Sequence, residues 1–62
     1  MWENKLTYKV VIETTSMDEI VDFVADNFED AYNKTKLIYA KTYQSLRIKS
    51  LSQIGTINIF KK

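Results

Sequence analysis

Polar and apolar positions alternate over residues 5–14, KLTYKVVIET, with Val11 the one apolar residue on the polar side. Leu6, Tyr8, Val10 and Ile12 share one side of the alternation, and Thr7, Lys9, Val11 and Glu13 share the other. A period of two carried by β-branched and aromatic residues predicts a strand. Residues 27–44 keep a different period. Asn27 suits a helix N-cap, and Glu29 and Asp30 follow in the first turn, where negative charge favours the helix dipole. Phe28, Ala31, Thr35, Ile38, Tyr39 and Thr42 then fall on one stripe, which predicts an amphipathic helix.

The stretch between them, SMDEIVDFVADN at 16–27, satisfies two patterns. Ser16 with Glu19 three residues on matches a helix capping box. Val21, Phe23 and Ala25 alternate with Asp22, Val24 and Asp26, which matches a half-buried strand. A helix over 17–26 would spread apolar residues around more than half its circumference and would rest on residues of modest helix propensity. The strand is therefore the favoured reading. It ends at Ala25, with Thr14–Glu19 as the hairpin loop back to the first strand and Asp26-Asn27 turning the chain into the helix.

The tail, 46–60, alternates in LRIKSL and again in TINIF, with SQIG between. SQIG is either a turn joining two strands or the place where Gly55 marks a bulge in one bent strand. The order is thus ββαβ or ββαββ: one α+β domain over residues 1–62, an antiparallel β-sheet with one amphipathic helix packed on one face. The expected core is Leu6, Tyr8, Val10, Ile12, Val21, Phe23 and Ala25, with Phe28, Ala31, Thr35, Ile38 and Tyr39 from the helix. Leu46, Ile48, Ile57 and Ile59 complete it from the tail.

Composition narrows the chemistry. The 62-residue chain contains no Cys and no His, so thiolate ligands, disulfides and the commonest general base and metal ligand are all missing. One glycine leaves no phosphate-cradling loop, and the serines have no histidine to activate them. The expectation is a non-enzymatic protein with no cofactor and no metal. Apolar runs such as VVI at 10–12 and LIYA at 37–40 are too short to span a membrane, and MWENK does not resemble a secretory leader. A cytoplasmic location follows as the default.

Net charge is +1, but its distribution is uneven. Residues 18–30 carry Asp18, Glu19, Asp22, Asp26, Glu29 and Asp30 with no base; residues 31–62 carry only bases. Asp18, Asp22 and Asp26 share one face of a strand, about 13 Å apart, too far for one ion. They form a solvated acidic face, and Asp22 and Asp26 are candidate contacts for a basic partner. Tyr32, Lys36, Tyr39 and Tyr43 fall in one sector of the helix beside the core stripe. They either edge the core with their hydroxyls in water or meet a partner. Leu37 lies opposite Phe28 on the wheel, among charged residues, and is a candidate anchor. Trp2 either folds back on the sheet or docks on a partner. Lys34, Lys41, Arg47, Lys49, Lys61 and Lys62 are the candidate contacts for a phosphate backbone.

The chain is rich in Lys, Asn, Ile and Tyr, and its run FVADNFEDAYNKTK makes a strand–turn–helix step. In layout and composition it resembles small accessory proteins of bacteriophages and mobile elements of low-GC bacteria. That resemblance implies a protein-binding module that inhibits or redirects a host protein, such as a defence or nucleic-acid-processing system, from the host cytoplasm. The alternative is a small nucleic-acid-binding protein using the basic helix end and C-terminal strands. A homodimer joined through an edge strand or the Leu37 face is compatible with either.

Overall fold

A computed structural model describes residues 1–61. Four elements follow in order: β1 (Trp2–Thr14), β2 (Asp18–Ala25), α1 (Phe28–Lys41) and β3 (Ser45–Phe60). The strands form one open antiparallel sheet in the order β2-β1-β3. The helix lies on one face, which is the ββαβ layout expected of an α+β domain.

The ambiguous stretch is a strand, with Leu6 opposite Ala25, Tyr8 opposite Phe23 and Val10 opposite Val21. The hairpin loop is shorter than the pattern suggested: only Thr15–Met17 lie outside the strands. Thr14 tightens it. Its hydroxyl accepts the Ser16 and Met17 N–H groups at 3.4 and 3.2 Å and also donates to the Met17 carbonyl. With these local bonds made, pairing extends to Glu13 and Asp18, so the Ser16/Glu19 match caps nothing.

Asn27 caps the helix, its side chain accepting the Asp30 N–H at 2.8 Å. Asp30 in return accepts the Asp26 N–H at 3.0 Å, so the turn out of β2 and the first helical turn are tied reciprocally. At the other end Ser45 Oγ donates to the Tyr39 and Thr42 carbonyls, both at 2.9 Å. Those carbonyls also accept the Thr42 and Ser45 N–H groups, both at 3.3 Å, so the one hydroxyl proton is shared between two acceptors that close the helix end.

The tail is a single strand, not two, and SQIG is no turn. β3 has 16 residues against 13 in β1. The difference is taken up by Leu46, Lys49 and Ile54, which have no β1 partner. Each such bulge moves the following side chains to the opposite face. Leu51 and Ile48 therefore both lie opposite helix-side residues of β1, Val10 and Ile12, although their numbers differ in parity. Gly55 sits beside the bulge, opposite Thr7, and a Cβ there would meet Thr7 Oγ1 at 3.3 Å.

Val10, Ile12, Ala31 and Thr35 are fully buried, with Tyr8 and Ala25 beside them and Leu6, Phe23 and Leu51 packed against the cluster. Tyr8 stacks on Phe23 at 6.1 Å and meets Phe28 edge-on at 6.3 Å. The Thr35 hydroxyl, buried among these apolar groups, donates to the Ala31 carbonyl at 2.8 Å and so carries no unmet polar group.

Four expected core residues lie elsewhere. Leu46 is 54% exposed because it occupies a bulge. Ile57, with Ile59, lies opposite Lys5 and Glu3, on the sheet face the helix does not cover. Phe28 is 59% exposed: it is the first residue of the helix and meets the core through its edge-on contact with Tyr8. Leu51, absent from the expected core, fills the space.

The helix is roughly 21 Å long at 1.5 Å per residue, whereas the molecule is 43 Å in its longest dimension. Helix and β2 both stop at the level of Leu6. Beyond it, residues 1–5 and 57–61 continue as a two-stranded ribbon closed by the Met1–Lys61 bonds.

Candidate partner-binding surface

The helix turns one side outward, and the expected partner contacts divide there into two groups. Leu37 is 63% exposed, and Tyr43, just past the helix end, is 97% exposed. Tyr32 is also exposed, and Lys36 Nζ sits over its ring at 4.6 Å, a cation–π contact that holds both side chains against the helix. Tyr39 is different. It is half-buried, and its hydroxyl donates to the Leu46 carbonyl at 3.1 Å. The bulge at Leu46 frees that carbonyl from the ladder, and Tyr39 takes it. Tyr39 is thus a structural clasp between helix and β3, and no part of the free surface.

Near Tyr43 the chain makes a cleft of about 330 Å³, lined by Thr14, Ser16, Met17, Glu19, Thr42, Tyr43 and Gln44. Thr15 Oγ1 donates to Gln44 Oε1 at 2.8 Å, joining the hairpin loop to the loop after the helix. Met17 is 71% exposed. This end therefore carries Tyr43 and Met17 on a shallow depression, while Leu37 is exposed separately on the outer side of the helix. The hairpin methionine gave no pattern signal, because it stands alone in a polar loop.

Comparison with family models, curated proteins and solved structures finds no match to this chain.

The acidic residues are not a bare row. Asp18 is ion-paired with Lys49 at 2.8 Å, Asp22 lies opposite Lys9, and Asp26 accepts from Lys5. The sheet has interleaved lysines of β1 and β3 with the carboxylates of β2. The Asp26 carboxylate, through its hydrogen bond, raises the Lys5 pKa above the lysine norm of 10.5. The Asp30 carboxyl is held below its usual 3.8, first by the Asp26 N–H and then by Lys34.

The basic residues are likewise dispersed. Lys34 pairs with Asp30 at 3.2 Å and donates to the Val24 carbonyl at 2.8 Å, on the edge of β2. Arg47 pairs with Glu13 at 3.1 Å, and Lys61 with Glu3 at 3.4 Å. In the β1–β3 register Arg47 and Lys61 stand at opposite ends of the ladder. Lys41 is exposed at the helix end, and Lys62 lies outside the described residues. Arg47 with Glu13 and Lys61 with Glu3 pair across neighbouring strands, which is what cross-strand energetics favours, and Lys49 reaches over β1 to Asp18.

A second apolar group lies at the other end. Trp2 and Phe60 meet edge-on at 5.2 Å on the ribbon and are 68% and 55% exposed. Trp2 folds neither onto the helix nor into the core. Its partner Phe60 was outside the expected contacts, though it closes the alternation of TINIF. Among the described residues, no helix is long and apolar enough to cross a membrane.

Proposed function

We propose that this chain is a small non-catalytic protein-binding module that acts by occupying a surface of its partner. The resemblance to phage and mobile-element accessory proteins makes that partner a host protein, which the module inhibits or redirects. The observation that carries the reading is the exposure of Tyr43 and Met17 on one shallow depression at the loop end of the molecule, with Leu37 exposed on the outer side of the helix. Large apolar and aromatic side chains around a shallow depression supply the anchors that protein interfaces concentrate at their centres. Charged neighbours such as Lys36, Lys41 and Glu19 would form the rim. The basic side chains are spread along the sheet and mostly ion-paired, so nucleic acid is the second reading.

Capture from host lysate on the immobilised chain tests this. The expected result is one protein in stoichiometric amount. Leu37→Asp combined with Tyr43→Ala should weaken its capture at least about thirtyfold, given hot-spot losses of about 2 kcal/mol or more, with the circular dichroism spectrum unchanged. Tyr39→Ala is unsuitable, because it breaks the clasp to Leu46. Undiminished capture by the double variant overturns the surface assignment. A low-salt gel shift that fades as salt rises would move the reading to nucleic acid.

A further inference from the structure

We infer that a second copy of this chain pairs with the outer edge of β3 at residues 56–60, giving a two-fold dimer with one continuous six-stranded sheet. The inference stands on the ribbon end of the molecule and does not depend on the partner reading above. Three observations carry it.

The first is the free edge. Met1 and Lys61 exchange both backbone hydrogen bonds, at 2.7 and 3.1 Å, so they are a hydrogen-bonded pair of the β1–β3 ladder. In an antiparallel ladder such pairs alternate with non-bonded ones. Ile59 and Ile57 therefore bond to β1, while Phe60, Asn58 and Thr56 turn their N–H and C=O groups outward. β3 has no neighbour on that side.

The second is that nothing guards this edge. Natural sheets protect edges with charge, proline, bulges or a covering helix. β3 has bulges at Leu46, Lys49 and Ile54, and Lys49 and Arg47 add charge, but all of these precede residue 55. From Leu51 to Phe60 there is no charge and no proline. The first charge beyond, Lys61, is paired with Glu3 of its own chain. The opposite sheet edge differs: Lys34 covers the Val24 carbonyl, and Asp18 and Asp22 lie along β2.

The third is the ribbon itself. Residues 1–5 and 57–61 are two strands with neither a third strand nor a helix beside them. Two-stranded ribbons are marginal in water, and a third strand makes them stable. A second copy supplies it, and the sequence TINIF suits self-pairing. Centred on Asn58, an antiparallel pairing sets Asn58 against Asn58, Thr56 against Phe60 and Ile57 against Ile59. The outward-facing residues then pair with one another, so each such pair exchanges both bonds. The four isoleucines of the two copies gather on the helix-free face. The contact is isologous and closes after two copies.

Light scattering across a concentration series up to millimolar tests the proposal, together with amide hydrogen exchange on the unaltered chain. The expected mass rises from 7.3 kDa to twice that value. The Thr56, Asn58 and Phe60 amides should become protected as it does. Asn58→Lys, which sets two lysines against each other at the two-fold axis, should return the mass to the monomer with the fold intact. Asn58→Pro should do the same, since its missing N–H faces outward in the monomer, where an edge strand tolerates proline. A mass that stays monomeric overturns the proposal. So does a dimer whose three amides remain unprotected, a dimer that both variants leave intact, or growth beyond two copies.

Discussion

Leu51 and Leu46 make the sharpest test of how β3 runs. Both are leucines in one strand, five residues apart, and both are candidates for truncation to alanine. The bulge at Lys49 turns Leu51 toward the helix, opposite Val10, while the bulge at Leu46 turns that side chain out. Truncating a buried leucine costs roughly 2–5 kcal/mol through lost transfer energy and the cavity left behind. Leu51 is partly buried against Tyr8, Ala25 and Ala31, so the low end applies, about 2 kcal/mol. Leu46 is 54% exposed, and its one structural bond, to Tyr39, uses its carbonyl, which alanine retains. Its truncation should cost about 0.5 kcal/mol, the scale of ordinary surface changes. At this chain length total stability is on the order of 3–9 kcal/mol, so losing 2 is large. With a urea slope of about 1 kcal/mol per molar for so small a chain, Leu51→Ala should move the midpoint down by about 2 M and Leu46→Ala by about 0.5 M. Urea titration followed by far-ultraviolet circular dichroism, at one protein concentration, reads both. Equal losses, or the larger loss at Leu46, would refute the bulged register and restore strict alternation.

Asn27→Ala removes the helix cap and should cost about 1 kcal/mol in the same titration, while Asn27→Asp should be nearly neutral. The depressed Asp30 carboxyl contributes stability that is full above pH 3.8 and lost as pH falls through its lower folded value; Asp30→Asn should flatten that part of the acid limb. Lys5 works in the opposite sense. Its contribution is full below pH 10.5 and lost as pH rises through the raised value, so Lys5→Met should flatten the alkaline limb. Gly55 has no positive φ, so Gly55→Ala should change stability by less than about 1 kcal/mol, the lower unfolded-state entropy set against crowding of Thr7. A loss of several kcal/mol would mean that the position is a strained turn.

Local pattern alone determined most of the fold. Alternation in KLTYKVVIET, the stripe from Ala31 to Thr42, and the cap at Asn27 each depend on neighbours within a few residues. The same is true of the strand at 18–25, where alternation outweighed a chance capping match. What tertiary structure decided lies in β3 and at the surface. A bulge is a mismatch in length between two strands far apart in the chain, and no local pattern records it. It exchanged Leu46 for Leu51 in the core, sent Ile57 to the far face, and freed the carbonyl that occupies Tyr39. The surface residues behaved in the same way. Tyr43 lies past the helix end and its full exposure was set by the loop, whereas Leu37 was legible as outward-facing because helical geometry alone dictates it. The pairing of Lys49 with Asp18, Arg47 with Glu13 and Lys5 with Asp26 was not, because it arises only when β1 lies between β2 and β3. An acidic half and a basic half in the sequence became one interleaved sheet. The free edge at residues 56–60 is likewise a property of strand order: TINIF is an ordinary strand in the sequence, and only its place at the end of the sheet leaves half its backbone without a partner.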